Sequence, residues 1–372
     1  MKYIKVKDLF EIKKGKKVEQ INEKKDGAIR YIQIDDLRND DNIKYCVNNK
    51  YVLARKEDII IAWDGANAGT IGYGLEGAIG STLAILSFKD KGFMSEFCGL
   101  FLKSKFKYLR DKCTGATIPH ISKQALVDLK MPNISLEKQK EIVNTLRISQ
   151  ELIDKRKAQI EDLDELVKSR FIEMFGDPVL NPKRWVVKSV IDVCDCMVPG
   201  RDKPKSFTGD IPWITIEDLN VNGVTLGSKS GLGLTDKEID EVHRKKVPLG
   251  SVIMSCVGNL GICSIAGTEM IINQQLHSFQ CKNINNIFLM YYLGFRKDYM
   301  NLKASNTTVL YMNKTICNSI PVYQPPIELQ NQFASFVKQV DKLKFEMEQS
   351  LKELEDNFNS LMQRAFKGEL FN

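Results

Sequence analysis

Histidine is close to absent from these 372 residues, with His120, His243 and His277 the only three. No Cys-x-x-Cys or His-x-His pair accompanies them, so a zinc site is not expected. Cys194-x-Cys196 has the wrong spacing for zinc and lies in an apolar stretch, which points to buried thiols. The nine cysteines are odd in number and scattered, so they are read as reduced thiols of a cytoplasmic protein. A Gly-x-x-x-x-Gly-Lys-Ser/Thr run is missing, and with it a P-loop for ATP. No stretch of eighteen apolar residues could span a membrane. The opening Met1-Lys-Tyr-Ile-Lys-Val-Lys lacks the apolar core of a secretion signal, and none is expected. An Asn/Asp-Pro-Pro-aromatic motif, with which amino-methyltransferases hold a flipped base, is also missing; Asn181-Pro-Lys-Arg does not qualify. These absences leave no catalytic constellation in the sequence.

What is present begins with charge. Hydrophobic content of 43% and charged content of 27% suit a soluble globular chain. The net charge of +7 is unevenly placed. Residues 1–135 carry 24 Lys/Arg against 17 Asp/Glu, a net +7, and residues 184–326 carry 15 against 12, a net +3. The runs 136–183 and 327–372 are slightly acidic, at −1 and −2. Two basic blocks separated by acidic connectors suit a polyanionic partner.

The two blocks repeat each other. Ile29-Arg-Tyr-Ile-Gln-Ile-Asp-Asp-Leu37 keeps step with Ile211-Pro-Trp-Ile-Thr-Ile-Glu-Asp-Leu219. Asp58-Ile-Ile-Ile-Ala and Asn67-Ala-Gly69 match Gly250-Ser-Val-Ile-Met and Asn259-Leu-Gly261. Ala116-Thr-Ile and Lys123 match Thr307-Thr-Val and Lys314. Four matches in one order exclude chance. Each block reads as mixed α/β: aliphatic runs in Val52–Ala62 and Val247–Ser255 predict buried strands. The glycines of residues 65–80 predict tight turns rather than a cofactor loop, since no Gly-x-Gly-x-x-Gly opens a helix there. Glu96–Lys112 and Ile287–Lys303 predict amphipathic helices, and each block closes on a strand before a Pro-marked boundary.

The connectors carry a sustained 4-3 apolar spacing. From Ile142 the positions 142, 146, 149, 153, 156, 160, 163, 167, 170 and 174 are Ile, Leu, Val or Met in seven of ten cases. Displaced by 191, the set runs from Phe333 to Ala365 and is apolar in nine of ten. Two long helices pairing with each other as an antiparallel coiled coil are therefore expected. At 1.5 Å per residue, about 34 residues make a rod of roughly 50 Å. Blocks held at its ends would suit a split DNA site, since one duplex turn is about 34–36 Å.

Candidate DNA contacts follow from loop chemistry. Lys13, Lys14, Lys16 and Lys17 surround Gly15, and Arg201, Lys203 and Lys205 follow Gly200 in the second block. Arg244, Lys245 and Lys246 form a further basic run, and Asn67 and Asn259 stand beside glycines. Lys and Arg position a reader on phosphates, whereas Arg, Asn, Gln or Lys at base edges confer specificity. Trp63 and Trp213 are expected to pack the blocks rather than stack on bases.

The order block, helix, Phe175-Gly-Asp-Pro178…Asn181-Pro182…Trp185, block, helix, Phe366-x-Gly368 resembles the specificity subunit of type I restriction–modification systems. Each helix opens alike, with Leu136-Glu-Lys-Gln-Lys-Glu-Ile142 and Ile327-Glu-Leu-Gln-Asn-Gln-Phe333. The resemblance covers essentially the whole chain. It implies target recognition domains at residues 1–135 and 178–326, a central spacer helix at 136–177 and a C-terminal one at 327–372. It further implies a non-catalytic reader of an interrupted asymmetric site in double-stranded DNA. Its implied partners are two methyltransferase subunits and, where present, restriction subunits; S-adenosylmethionine and ATP would then be bound by those partners and not by this chain. At 372 residues the chain is compact for that family, which implies blocks without long insertions. Another class stays open on the residues alone: a coiled-coil assembly adaptor whose blocks bind proteins or sugars.

Overall fold

The computed structural model describes residues 2–47, 50–115, 117–200, 202–306 and 309–370. Ala116, Thr307 and Thr308 of the repeat and the candidate contact Arg201 lie outside the described residues. The chain forms two compact units. One combines Met1–Lys157 with Gln349–Asn372, and the other is Ala158–Glu348.

In the first unit a sheet runs in the order Phe10–Lys14, Leu83–Phe88, Ile59–Ala62, Ile71–Tyr73, with every neighbour antiparallel. A second sheet orders Tyr45–Cys46, Ile29–Ile32, Gly77–Ile79 and Leu53–Ala54. Ile59–Ala62 is buried along its whole length because both its faces are covered. Ile59 and Ile61 meet Phe97, Phe101 and Leu102 of the helix Ser95–Ser104. Ile60 and Ala62 meet Ile32, Ile79 and Leu83 on the other side.

The second unit repeats the plan. Its larger sheet orders Cys194–Met197, Leu276–Cys281, Val252–Ser255, Cys263–Ala266 and Val224–Thr225, and its smaller one Gly233–Leu234, Ile211–Ile214 and Ile271–Ile272. The matched strands Ile29–Ile32 and Ile211–Ile214 each take a parallel partner, Gly77–Ile79 and Ile271–Ile272. The acidic position shared by both strand ends has a local cause. Asp36 accepts the Gln33 N–H at 2.8 Å and Asp218 the Thr215 N–H at 2.7 Å, so each carboxylate closes its own turn. The expected mixed α/β repeat is what the chain adopts.

The long helices run Leu136–Phe175 and Ile327–Lys367. The glutamine in each helix opening is a clamp. Gln139, fully buried, accepts from Met94 N and donates to Gly92 O and Ile134 O at 2.9–3.0 Å. Gln330 accepts from Asn285 N and donates to Pro325 O, both at 2.8 Å. Both helices stop at a left-handed glycine, Gly176 at φ 81° and Gly368 at φ 79°, a conformation in which a Cβ would crowd the following carbonyl. Within each unit the two helices pass antiparallel, marked by Lys157–Glu355 at 2.9 Å in one and Asp164–Lys344 at 2.7 Å in the other.

Two details depart from the sequence reading. The predicted single helices are each broken, into Ser95–Ser104 and Phe106–Asp111, and into Asn286–Phe295 and Lys297–Lys303. Lys105 and Arg296 sit at ψ 8° and 12°, outside the helical well, and Arg296 is buried with Nη1 donating to Pro178 O at 3.0 Å. The apolar seam also shifts at one end: Phe171, not the half-buried Arg170, is fully buried there. Its helix leaves the 3.5-residue seam to pack on a globular core, where the 3.6-residue period governs.

His277 is 1% exposed on the strand Leu276–Cys281, its ring 4.8 Å from that of Phe279. Burial pushes its pKa from 6.5 down to about 4, with Asn318 opposing and Lys314 assisting. Unfolded imidazole takes up a proton from about pH 6.5 downward while the folded one resists until about pH 4. Stability is therefore complete above that window and falls within it, by about 3 kcal/mol in all. Urea midpoints of wild type and His277→Gln, compared from pH 7 to 4, should converge as pH falls. A constant difference between them would refute the assignment.

No helix among the described residues is long and apolar enough to cross a membrane.

Candidate nucleic-acid interface

In the first unit the strand Phe10–Lys14 is pinned where it ends. Gly15 N donates to Leu83 O at 2.8 Å and Lys16 N to Ile79 O at 3.3 Å. A Cβ on Gly15 would lie 2.2 Å from Gly80 O, so only glycine permits this approach. Lys13, Lys16 and Lys17 are exposed, and among the described residues they form no ion pair. Lys14 differs: its Nζ lies 2.6 Å from Asp64 Oδ2. The other Asp64 oxygen accepts from His120 Nδ1 at 2.6 Å. Partial burial acts to raise the Asp64 pKa, but Lys14 and His120 outweigh it and hold the carboxyl below its ordinary value.

Asn67 belongs to the adjoining turn, where its carbonyl accepts from Thr70 N at 3.1 Å. Its side-chain oxygen accepts from Arg38 Nη2 at 2.7 Å, and Arg110 Nη1 donates to Ala66 O at 2.8 Å. Four basic side chains, Lys14, Arg38, Arg110 and His120, thus converge on residues 64–67. Sequence reasoning nominated Lys14 and Asn67 but missed Arg38, Arg110 and His120. They lie 29, 44 and 56 positions from the residues they meet, and no local pattern marks them.

The second unit presents its basic loop differently. Arg244, expected as a mobile phosphate contact, is 6% exposed. Its guanidinium lies 5.2 Å from the Trp213 ring centre, and it donates to Asp202 O at 2.7 Å and Ile272 O at 3.2 Å. At the loop's other end Glu238 accepts from the Ser206 hydroxyl, and from Thr208 N and Thr235 N at 3.3 and 2.8 Å. These contacts, led by Ser206 and the Thr235 N–H, hold the Glu238 carboxyl down at about 2, so the anchor stays ionised across the working pH range. Between the anchors stand Lys203 and Lys205, exposed and without an ion pair among the described residues. A loop fixed at both ends presents its ammonium groups with little left to order on binding.

The remaining candidates divide. Lys245 is exposed, whereas Lys246 bridges Asp236 at 2.8 Å and Glu269 at 3.1 Å, partners that raise its pKa. Asn259 is exposed in a turn, its carbonyl accepting from Ser255 Oγ at 2.6 Å. Trp63 packs partly buried on the first unit's core, and Trp213 packs among Leu234, Ile239 and Ile271.

Comparison with known proteins gives a consistent result. The family model for the type I restriction modification DNA specificity domain matches residues 1–162 and again 182–356. The chain is 25% identical over 369 residues to the type I restriction enzyme MjaVIII specificity subunit of Methanocaldococcus jannaschii, spanning 91% of this chain and 86% of that one. Among solved structures, one described as the structural basis of complex assembly and conformational transition of the type I R-M system aligns at TM-score 0.66 and 18% identity, over 99% of this chain and 98% of that chain. The type I restriction–modification S subunit from M. genitalium aligns at TM-score 0.53 and 15% identity, over 98% and 96%.

Proposed function

We propose, from the premise that this chain belongs to the type I restriction modification DNA specificity family, that it reads an interrupted, asymmetric DNA site through two target recognition domains. The observation that carries the reading is the coincidence of two family matches with two copies of one fold. Residues 1–135 and 178–326 form the recognition domains; Leu136–Phe175 and Ile327–Lys367 are the spacer helices. Each domain reads one half of the site, and the helices determine how many bases between the halves go unread.

Positioning falls to Lys16, Lys17, Lys203, Lys205 and Lys245, whose side chains are exposed, and to Arg38 and Arg110 beside residues 66–67. Such contacts to phosphate fix register, and affinity should fall with log salt at a slope of about −0.9 per phosphate neutralised. The chain itself performs no chemistry. Two methyltransferase subunits, carrying S-adenosylmethionine, methylate adenine after turning it out of the stack, and ATP-driven restriction subunits join where present. The complex works in the cytoplasm.

The deciding experiment is methylome sequencing of a host carrying this gene with its methyltransferase, against a host lacking this gene alone. A two-part adenine motif should vanish with the gene. An unchanged methylome, with salt-insensitive or no DNA binding by the purified complex, would instead identify an assembly adaptor.

A further inference from the structure

Beside the anchored loop of the second unit lies a cavity of about 530 Å³. Phe207 and Trp213 line it edge to face, their ring centres 5.7 Å apart. Phe207 is 37% exposed, which leaves ring surface open to a ligand. Arg244 contributes a buried guanidinium over Trp213 and Lys203 an ammonium. Asn273 and Gln275 add amides oriented by their own bonds, Asn273 Nδ2 to Gln275 Oε1 and Gln275 N to Asn273 Oδ1, each 3.0 Å.

This set matches a nucleobase carrying its phosphate. A ring stacks on Phe207, the amides meet the polar edge of the base, and Lys203 meets the phosphate. A neutral sugar or an aliphatic peptide side chain could pack on the aromatic wall but would leave the Lys203 ammonium without an anionic partner. Bases inside a duplex present no free face, so a duplex ligand must release one. Glu238 and Arg244 hold the loop in place before any ligand arrives, so the cavity needs no rearrangement to form.

We infer that this cavity receives a nucleobase turned out of the bound duplex, at a position other than the adenine that is methylated. The inference deepens the DNA-reader assignment and rests on it. It applies to one half-site only: Tyr31, the repeat counterpart of Trp213, packs against Val18, Ile29, Cys46 and Tyr51, with no ring corresponding to Phe207 beside it among the described residues.

The test uses the complex with its methyltransferase subunits on duplexes of the methylome-derived site. 2-Aminopurine, bright when unstacked, replaces each base in turn except the methylated adenines; a parallel series introduces a mismatch at each pair. One position in one half-site should brighten severalfold, and a mismatch there should tighten binding about tenfold, because the broken pair no longer opposes release. Phe207→Ala should return that fluorescence to the duplex level and weaken binding about tenfold. Lys205→Ala should weaken binding yet keep the bright position. Bound wild-type complex with no bright position and no mismatch gain overturns the inference while leaving the DNA reader standing. Failure to bind duplex at all overturns the reader assignment itself. Quenching of Trp213 emission by free deoxyadenosine monophosphate, without any bright position, would assign the cavity to a free nucleotide and reject the duplex base.

Discussion

Inserting four helical residues after Leu163 should erase methylation of the original motif. The insertion falls between two markers of helix register, Lys157–Glu355 and Asp164–Lys344. These exposed pairs contribute little energy themselves, but they report which turns lie side by side. Four residues add about 6 Å and about 40° of net rotation to one helix while its partner keeps its length. Both registers then cannot persist. Either one pairing breaks or the recognition domains are displaced along the duplex, and in each case the two original half-sites are no longer engaged together. Methylome sequencing of the insertion variant reads the result directly. A motif with the same halves and the same gap would end the view that these helices measure the spacer.

Phe171→Ala should cost the second unit about 3–5 kcal/mol. The ring is fully buried, and Phe175, Phe288, Phe295 and Phe333 surround it with centres 4.9–5.5 Å away. Those four rings belong to the two long helices and the Asn286–Phe295 helix, so removing Phe171 opens a void where three helices meet. Neighbouring aromatic rings cannot flex into such a space as aliphatic chains can, which puts the cost at the high end of the range. Ile172→Ala, one position along and 38% exposed, is the control and should cost less than about 1 kcal/mol. Urea denaturation of both variants separates the cases. Equal and small effects would mean that the helix end does not close this core.

The first unit contains the counterpart of that cluster. Phe366, from the C-terminal helix, lies 5.5 Å from Phe97 and 5.4 Å from Phe101, just as Phe175 lies 4.7 Å from Phe288. The helix that follows the first block thus ends in the core of the second unit, and the helix that follows the second block ends in the core of the first. The Phe-x-Gly echo at residues 366–368 was visible as a motif, but its role is that of a core plug.

The sequence alone determined the duplication, the mixed α/β character of each block and the two long helices, because periodicity, turn residues and repeated motifs are local properties of a chain. It placed Lys203 and Lys205 in a loop correctly, whereas Lys13 and Lys14, also read as loop residues, lie on the strand Phe10–Lys14. Only the tertiary structure decided which charges are available. Arg244 and Lys203 are alike in sequence terms, yet one is a buried staple and the other an exposed ammonium, because carbonyls at Asp202 and Ile272 happen to meet the first. Lys14 and Lys246 are taken up by acids 50 and 10 positions away, and Arg38, Arg110 and His120 reach one turn from three distant segments. A side chain's partner is set by how strands and helices return on one another. That information is shared among residues far apart in the chain, so no local window contains it.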